Sequence, residues 1–100
     1  MLHIVNKSPT ENTTLASCLK IARGGHDSLL LTEDAVYAAT SGTQAAEQIR
    51  AALADVKVYA LWPDVEARGI QDRIVDGVKM VDYAGFVDLV VECDNVQSWL

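Results

Sequence analysis

The chain has 100 residues, 14 of them acidic against 8 basic, for a net charge of −6; half are hydrophobic and only 6% aromatic. This is enough chain for one domain with a modest core built mainly of Leu, Val, Ile and Ala, and it is not the composition of a disordered segment. The acidic balance disfavours direct contact with a phosphate backbone, and no apolar run approaches the roughly 20 residues of a membrane-spanning helix. The opening "MLHIVNKSP" has no basic stretch leading into an apolar one, so cytoplasmic residence is expected.

Apolar Leu2–Val5 reads as a short buried strand, closed by the polar loop "NKSPTENTT". Leu15, Cys18, Leu19 and Ala22 then recur at i, i+3, i+4 and i+7, which predicts a helix capped by Asn12 or Thr13 and stopped at Gly24-Gly25. Ser28–Thr32 carries three consecutive leucines, the mark of an interior strand, and "AVYAAT" reads as a short extended or turn segment near an edge. A second helix is predicted in "SGTQAAEQIRAALA", with Ala45, Ala46, Ile49, Ala52 and Leu53 on one face, Glu47 able to pair with Arg50, and Ser41 with Gln44 as a capping box. The third strand is "VKVYALW", followed by one or two helical turns in "PDVEARG" that Gly69 ends. "GVKMVDY" is the fourth strand, and "AGFVDLVVEC" places Phe86, Leu89, Val90 and Cys93 along a closing helix. The tail "DNVQSWL" ends on apolar bulk. Strands alternating with helices of this length imply a small three-layer α/β sandwich around a mainly parallel sheet of four to five strands.

Folds of this kind place their chemistry in loops at the carboxyl ends of the strands, here "NKSPTENTT", "TEDAVYAA" and "WPDVEARG". The first lacks the glycines of a phosphate cradle, so Ser8, Thr10 and their neighbours are better read as caps and turn formers, and no nucleotide or other cofactor is expected. His3 inside the first strand suits a satisfied structural histidine, His26 a solvated turn, and Glu33-Asp34 a turn rather than an acid–base pair. The two cysteines, Cys18 and Cys93, form no C-x-x-C and, with only those two histidines, no metal-ligand cluster. Cys18 lies more than a turn into its helix, where dipole assistance fades, so it is either core filler or the chain's one sulfur nucleophile. Cys93, on an apolar helical face, reads as structural.

The opening "MLHIVNKSP", the cysteine in "SCLK", the segment "PDVEARG" and the ending "VDYAGFVDLVVECDNVQSWL" together resemble the DsrH/TusB family along nearly the whole chain. The resemblance implies a DsrE/DsrF/DsrH-like fold of flavodoxin-like topology. It also implies membership of a cytoplasmic sulfur-relay complex, a dimer of heterotrimers with DsrE/TusD-like and DsrF/TusC-like sister subunits that passes persulfide sulfur to a DsrC/TusE-like carrier. In the DsrE/TusD-like sister the sulfur-carrying cysteine occupies the loop after the third strand; here that loop holds no thiol. The expected role is therefore structural, shaping the carrier's docking surface, with Cys18 a candidate secondary sulfur acceptor. Cys18 matches DsrH-type members, which points to dissimilatory sulfur oxidation; the alternative is a TusB-type subunit in 2-thiouridine modification of the tRNA wobble position. From another class, a stand-alone small-ligand-binding domain would use the same strand-end loops.

Overall fold

A computed structural model describes residues 1–10, 14–22, 27–93 and 95–99. The elements are β1 (Leu2–Val5), α1 (Thr14–Ile21), β2 (Ser28–Leu31), α2 (Gln44–Ala52), β3 (Lys57–Leu61), α3 (Trp62–Ala67), β4 (Lys79–Val81), α4 (Tyr83–Glu92) and β5 (Val96–Trp99), with short 3-10 segments at Glu33–Ala39 and Gln71–Arg73. All five strands are parallel, in the order β4-β3-β2-β1-β5.

That order settles which face each helix covers. From β1 to β4 the chain always steps the same way, and right-handed crossovers then lay successive helices on one side. Leu15 and Cys18 of α1, Ile49 of α2 and Val65 of α3 accordingly pack with Val5, Leu29, Leu31, Val58 and Ala60 in one large core. β5 lies beyond β1, so α4 must carry the chain back across the sheet on the opposite face. There Leu89 closes on Leu2 and Leu30, with Ile4, Tyr59, Val81, Phe86 and Cys93 partly buried around them. The parallel sheet and the three layers are as the sequence predicts. The strand order departs from the flavodoxin-like 2-1-3-4-5, because every early crossover runs in one direction and only the last reverses.

β2 is buried along its whole length, as a central strand covered on both faces must be. "AVYAAT" is not extended: it lies largely in the 3-10 segment Glu33–Ala39, whose small residues Ala35, Ala38 and Ala39 bury themselves with Val36 against the core. Only Thr40 makes a single antiparallel bridge, to Ile74. The cap of α2 also differs from the Ser41–Gln44 box. Thr43 takes the position, its Oγ1 accepting from the Ala46 N–H at 3.1 Å, while Gly42 turns the chain at φ +89°. The expected Glu47–Arg50 pair is present. α4 begins one residue earlier than predicted because Asp82 caps it, accepting from the Gly85 N–H at 2.8 Å. The tail is a strand, held to β1 in the register Leu2↔Val96 to Val5↔Trp99. The expected caps Asn12 and Thr13, the stop at Gly24-Gly25, His26 and Leu100 lie outside the described residues.

Candidate functional site

A parallel sheet gathers the loops that follow its strands along one edge. After β1, Ser8 and Thr10 bond to each other, Oγ to Oγ1 at 2.9 Å, and the Thr10 N–H donates to Ser8 Oγ at 3.3 Å, so these hydroxyls shape their own turn. Beside them opens a cleft of about 660 Å³ lined by Ser8, Thr10, Tyr37, Thr43, Gln44 and Gln48 among others. Among the described residues its lining is uncharged and offers hydrogen bonds through hydroxyl and amide groups.

The loops after β2 and β3 are tied together. The Arg68 guanidinium donates to Asp34 Oδ1 through Nη2 at 2.8 Å and Nε at 3.1 Å, and through Nη1 to the Asp64 carbonyl at 3.1 Å. Its Cζ stands 5.9 Å from the Tyr37 ring centre. The hydrogen bond to Asp34 raises the guanidinium's proton affinity further, against a smaller opposing effect of burial. Asp64 Oδ2 in turn accepts from the Glu33 N–H at 2.7 Å, which holds Glu33 at φ +50°, a backbone region costly for a residue with a Cβ. Glu33 and Asp34 thus form the turn the sequence suggests, but Asp34 serves mainly as the partner of a cation 34 residues away. Arg68 is spent on these carboxylates and is not presented to an anion.

No thiol stands on this edge among the described residues. Trp62 opens α3, about one-third exposed, and with Met80, Val81, Asp82 and Gly85 lines a shallow concavity of about 390 Å³. Cys18 is wholly enclosed in the core between α1 and the sheet. Burial first, and the Asp27 carboxylate second, push its thiol up from an ordinary 9.0 to about 12. At neutral pH only about one molecule in 10⁵ would carry the thiolate, the form that attacks sulfur. Cys93 is half-buried at the end of α4, against Leu2, Leu30 and Leu89.

His3 is buried in β1, as its place in the strand suggests. Its Nε2 lies 3.2 Å from Asp27 Oδ2, and its Nδ1 accepts from Trp99 Nε1 at 3.1 Å. The tail's tryptophan is thereby half-buried and bonded rather than stranded in solvent.

The most exposed apolar surface is on α4. Phe86, Leu89 and Cys93 face the sheet, but Tyr83, Val87 and Val91 recur at i, i+4 and i+8 on the outer side. They are 61%, 59% and 78% exposed, with Val90 at 38% beside them and Val96 of β5 at 42% nearby. A helix apolar on both sides belongs between two layers, and here only one is present. Reading the sequence as a single inner stripe misses this second one. The signal was available, since the β-branched Val87, Val90 and Val91 suit a helix poorly unless packing selects them.

Comparison with known proteins adds a family model described as DsrH-like protein, which matches residues 7–96. Protein TusB of Escherichia coli O81 (strain ED1a) is 39% identical over 99 residues, covering 99% of this chain and 100% of that protein. TusB of Escherichia coli (strain K12 / DH10B) is 38% identical with the same coverage. Among solved structures, the ychN protein of E. coli superposes with a TM-score of 0.79 at 22% identity, covering 98% of this chain and 97% of that one. The protein of unknown function MTH1491 from Methanobacterium thermoautotrophicum does so with a TM-score of 0.76 at 14% identity, covering 97% and 95%. These two likenesses establish the fold.

Proposed function

The chain belongs to the DsrH/TusB family, and from that membership we propose that it is the TusB-type subunit of a sulfur-relay complex serving thiolation of the tRNA wobble uridine. Its part is to complete the assembly and shape the surface on which the sulfur carrier docks, while a sister subunit bears the persulfide. The observation that carries this reading is the outward apolar stripe of α4, Tyr83, Val87 and Val91, on a chain with no thiol in its described strand-end loops. Burying a Val-sized side chain contributes about 1.5–3 kcal/mol, so a few such residues under a companion layer are enough to favour a lasting complex. The identity to proteins named TusB supports this branch over the sulfur-oxidation branch to which Cys18 alone pointed.

Within this reading Cys18 is a packing residue. Its enclosure and its raised thiol support that role over sulfur acceptance, which requires α1 to lift off the sheet before a thiolate can form. The stand-alone ligand-binding reading draws on the cleft beside Tyr37, and a thermal-shift screen against nucleotides and flavins is expected to show no stabilisation.

The test is co-expression with TusC-like and TusD-like partners. The chain should elute with them as one species on size-exclusion chromatography, and persulfide transfer to a TusE-like carrier should survive Cys18→Ser in the assembled complex. Elution of the chain alone, or loss of transfer in an assembled Cys18→Ser complex, would overturn the reading.

A further inference from the structure

His3 is the most deeply buried titratable group with hydrogen-bond partners on two other segments, and its two ring nitrogens do opposite jobs. An indole N–H can only donate, so the 3.1 Å contact from Trp99 Nε1 requires a bare lone pair on His3 Nδ1. The ring's single proton then sits on Nε2 and is donated to Asp27 Oδ2, 3.2 Å away. A second proton, on Nδ1, would set two donors against each other across the same contact, and that bond would have to break.

What this contact holds is β5. The edge strand is four residues long, and Val96, Gln97 and Ser98 are all exposed. Beyond its ladder to β1, it is anchored among the described residues by Trp99, which packs against the main core and meets the His3 ring with centroids 6.1 Å apart. We propose that His3 is a proton-operated catch on the edge strand. Singly protonated, it accepts the Trp99 indole and keeps β5 on the sheet; doubly protonated, it pairs with Asp27 as an ion pair and releases the indole. Release loosens β5 and bares the outer edge of β1, a row of unpaired backbone groups able to pair with another chain.

The described charged and titratable groups around the ring fit two stable positions. Asp27, just before β2, supplies the counter-charge that a buried imidazolium needs, and its other oxygen is 3.2 Å from the Met1 amino group. From α1 comes Cys18, a neutral thiol that feels Asp27. β5 contributes Trp99 and, opposite His3 in register, Gln97, neither of which carries charge.

Nitrogen-15 NMR on the full chain, following the His3 ring and the Trp99 indole from pH 8 downward, tests the catch. At pH 8 the Nε2–H tautomer should be seen, with the Trp99 indole proton exchanging at least tenfold more slowly than that of Trp62. As His3 gains its second proton, that protection should fall to the Trp62 level and the Val96–Trp99 amides should lose protection with it, while the β2 amides keep theirs. Trp99→Phe keeps the packing but removes the indole donor, so the Val96–Ser98 amides of that variant should no longer change protection as His3 gains its second proton. An Nδ1–H tautomer at pH 8, indole protection that ignores His3 protonation, or β5 amide protection that still follows His3 protonation in Trp99→Phe would each overturn the proposal.

Discussion

Raising the pH should destabilise the fold through Cys18 alone by an amount the structure sets. The thiol is wholly enclosed, and its pKa rises from 9.0 to about 12 on folding, by burial first and the Asp27 carboxylate second. The folded chain therefore keeps its proton where the unfolded chain gives it up. The contribution is complete below pH 9 and is lost as pH climbs from 9 toward 12, since above 9 the unfolded state binds fewer protons. At pH 10 the unfolded thiol is some tenfold more thiolate than thiol and the folded one almost all thiol, so the loss is about 1.4 kcal/mol. Other groups titrate in the same range, and Cys18→Ala controls for them. The assay is urea unfolding of both proteins under reducing conditions at pH 7.5, 9 and 10. Removing one buried sulfur should cost about 1–2 kcal/mol at pH 7.5. That gap should close almost entirely by pH 10. A gap that stays constant would mean that Cys18 is solvated in the native state and open to sulfur chemistry, refuting its assignment as a packing residue.

Other outcomes follow from the same geometry. Native protein treated with iodoacetamide at pH 8 should be alkylated at half-buried Cys93 well before Cys18, by mass spectrometry of peptides; equal rates would contradict the enclosure of Cys18. Gly77→Ala should cost about 1–2 kcal/mol in chemical denaturation, because Gly77 sits at φ +100° and a Cβ there would meet Leu53 Cδ1 at 3.0 Å. A double-mutant cycle on Asp34→Asn and Arg68→Met should give a coupling of about 0.5–1 kcal/mol, as Asp34 is half exposed to solvent. Val87→Lys with Val91→Glu should leave the unfolding free energy of the isolated chain within about 0.5 kcal/mol of the parent in urea denaturation. The same pair should abolish co-elution with the sister subunits.

The layered fold was legible because its interior strands announce themselves. Ser28–Leu31 reads as a continuous apolar run since both faces of β2 are covered, and Leu15, Cys18 and Ala22 mark the buried side of α1 by spacing alone. β5 was not legible as a strand. Val96 to Trp99 reads apolar, polar, polar, apolar, which breaks the two-residue period of a strand, and its reason for pairing is β1, at the other end of the chain. The strand-end network is similarly long-range: the backbone of Glu33 is fixed by Asp64, and the role of Asp34 by Arg68. The outer stripe of α4 was half legible. The inner stripe predicted from Phe86, Leu89, Val90 and Cys93 leaves Val87 and Val91 unplaced, and Val90 is 38% exposed because that position lies at the margin of the inner stripe. A sequence shows that a helix is apolar, whereas only the packed fold shows how much of it remains uncovered.

Hydrogen exchange over Tyr83–Glu92 and Val96–Trp99, measured on the chain alone and again in complex with TusC-like and TusD-like partners, tests the central claim most directly. The amides of α4 should slow at least tenfold in the complex, more than those of α1 or α2, as a companion layer covers Val87 and Val91. Protection confined to the α1–α2 side, with α4 exchanging as it does in the free chain, would contradict the assignment of this face to assembly.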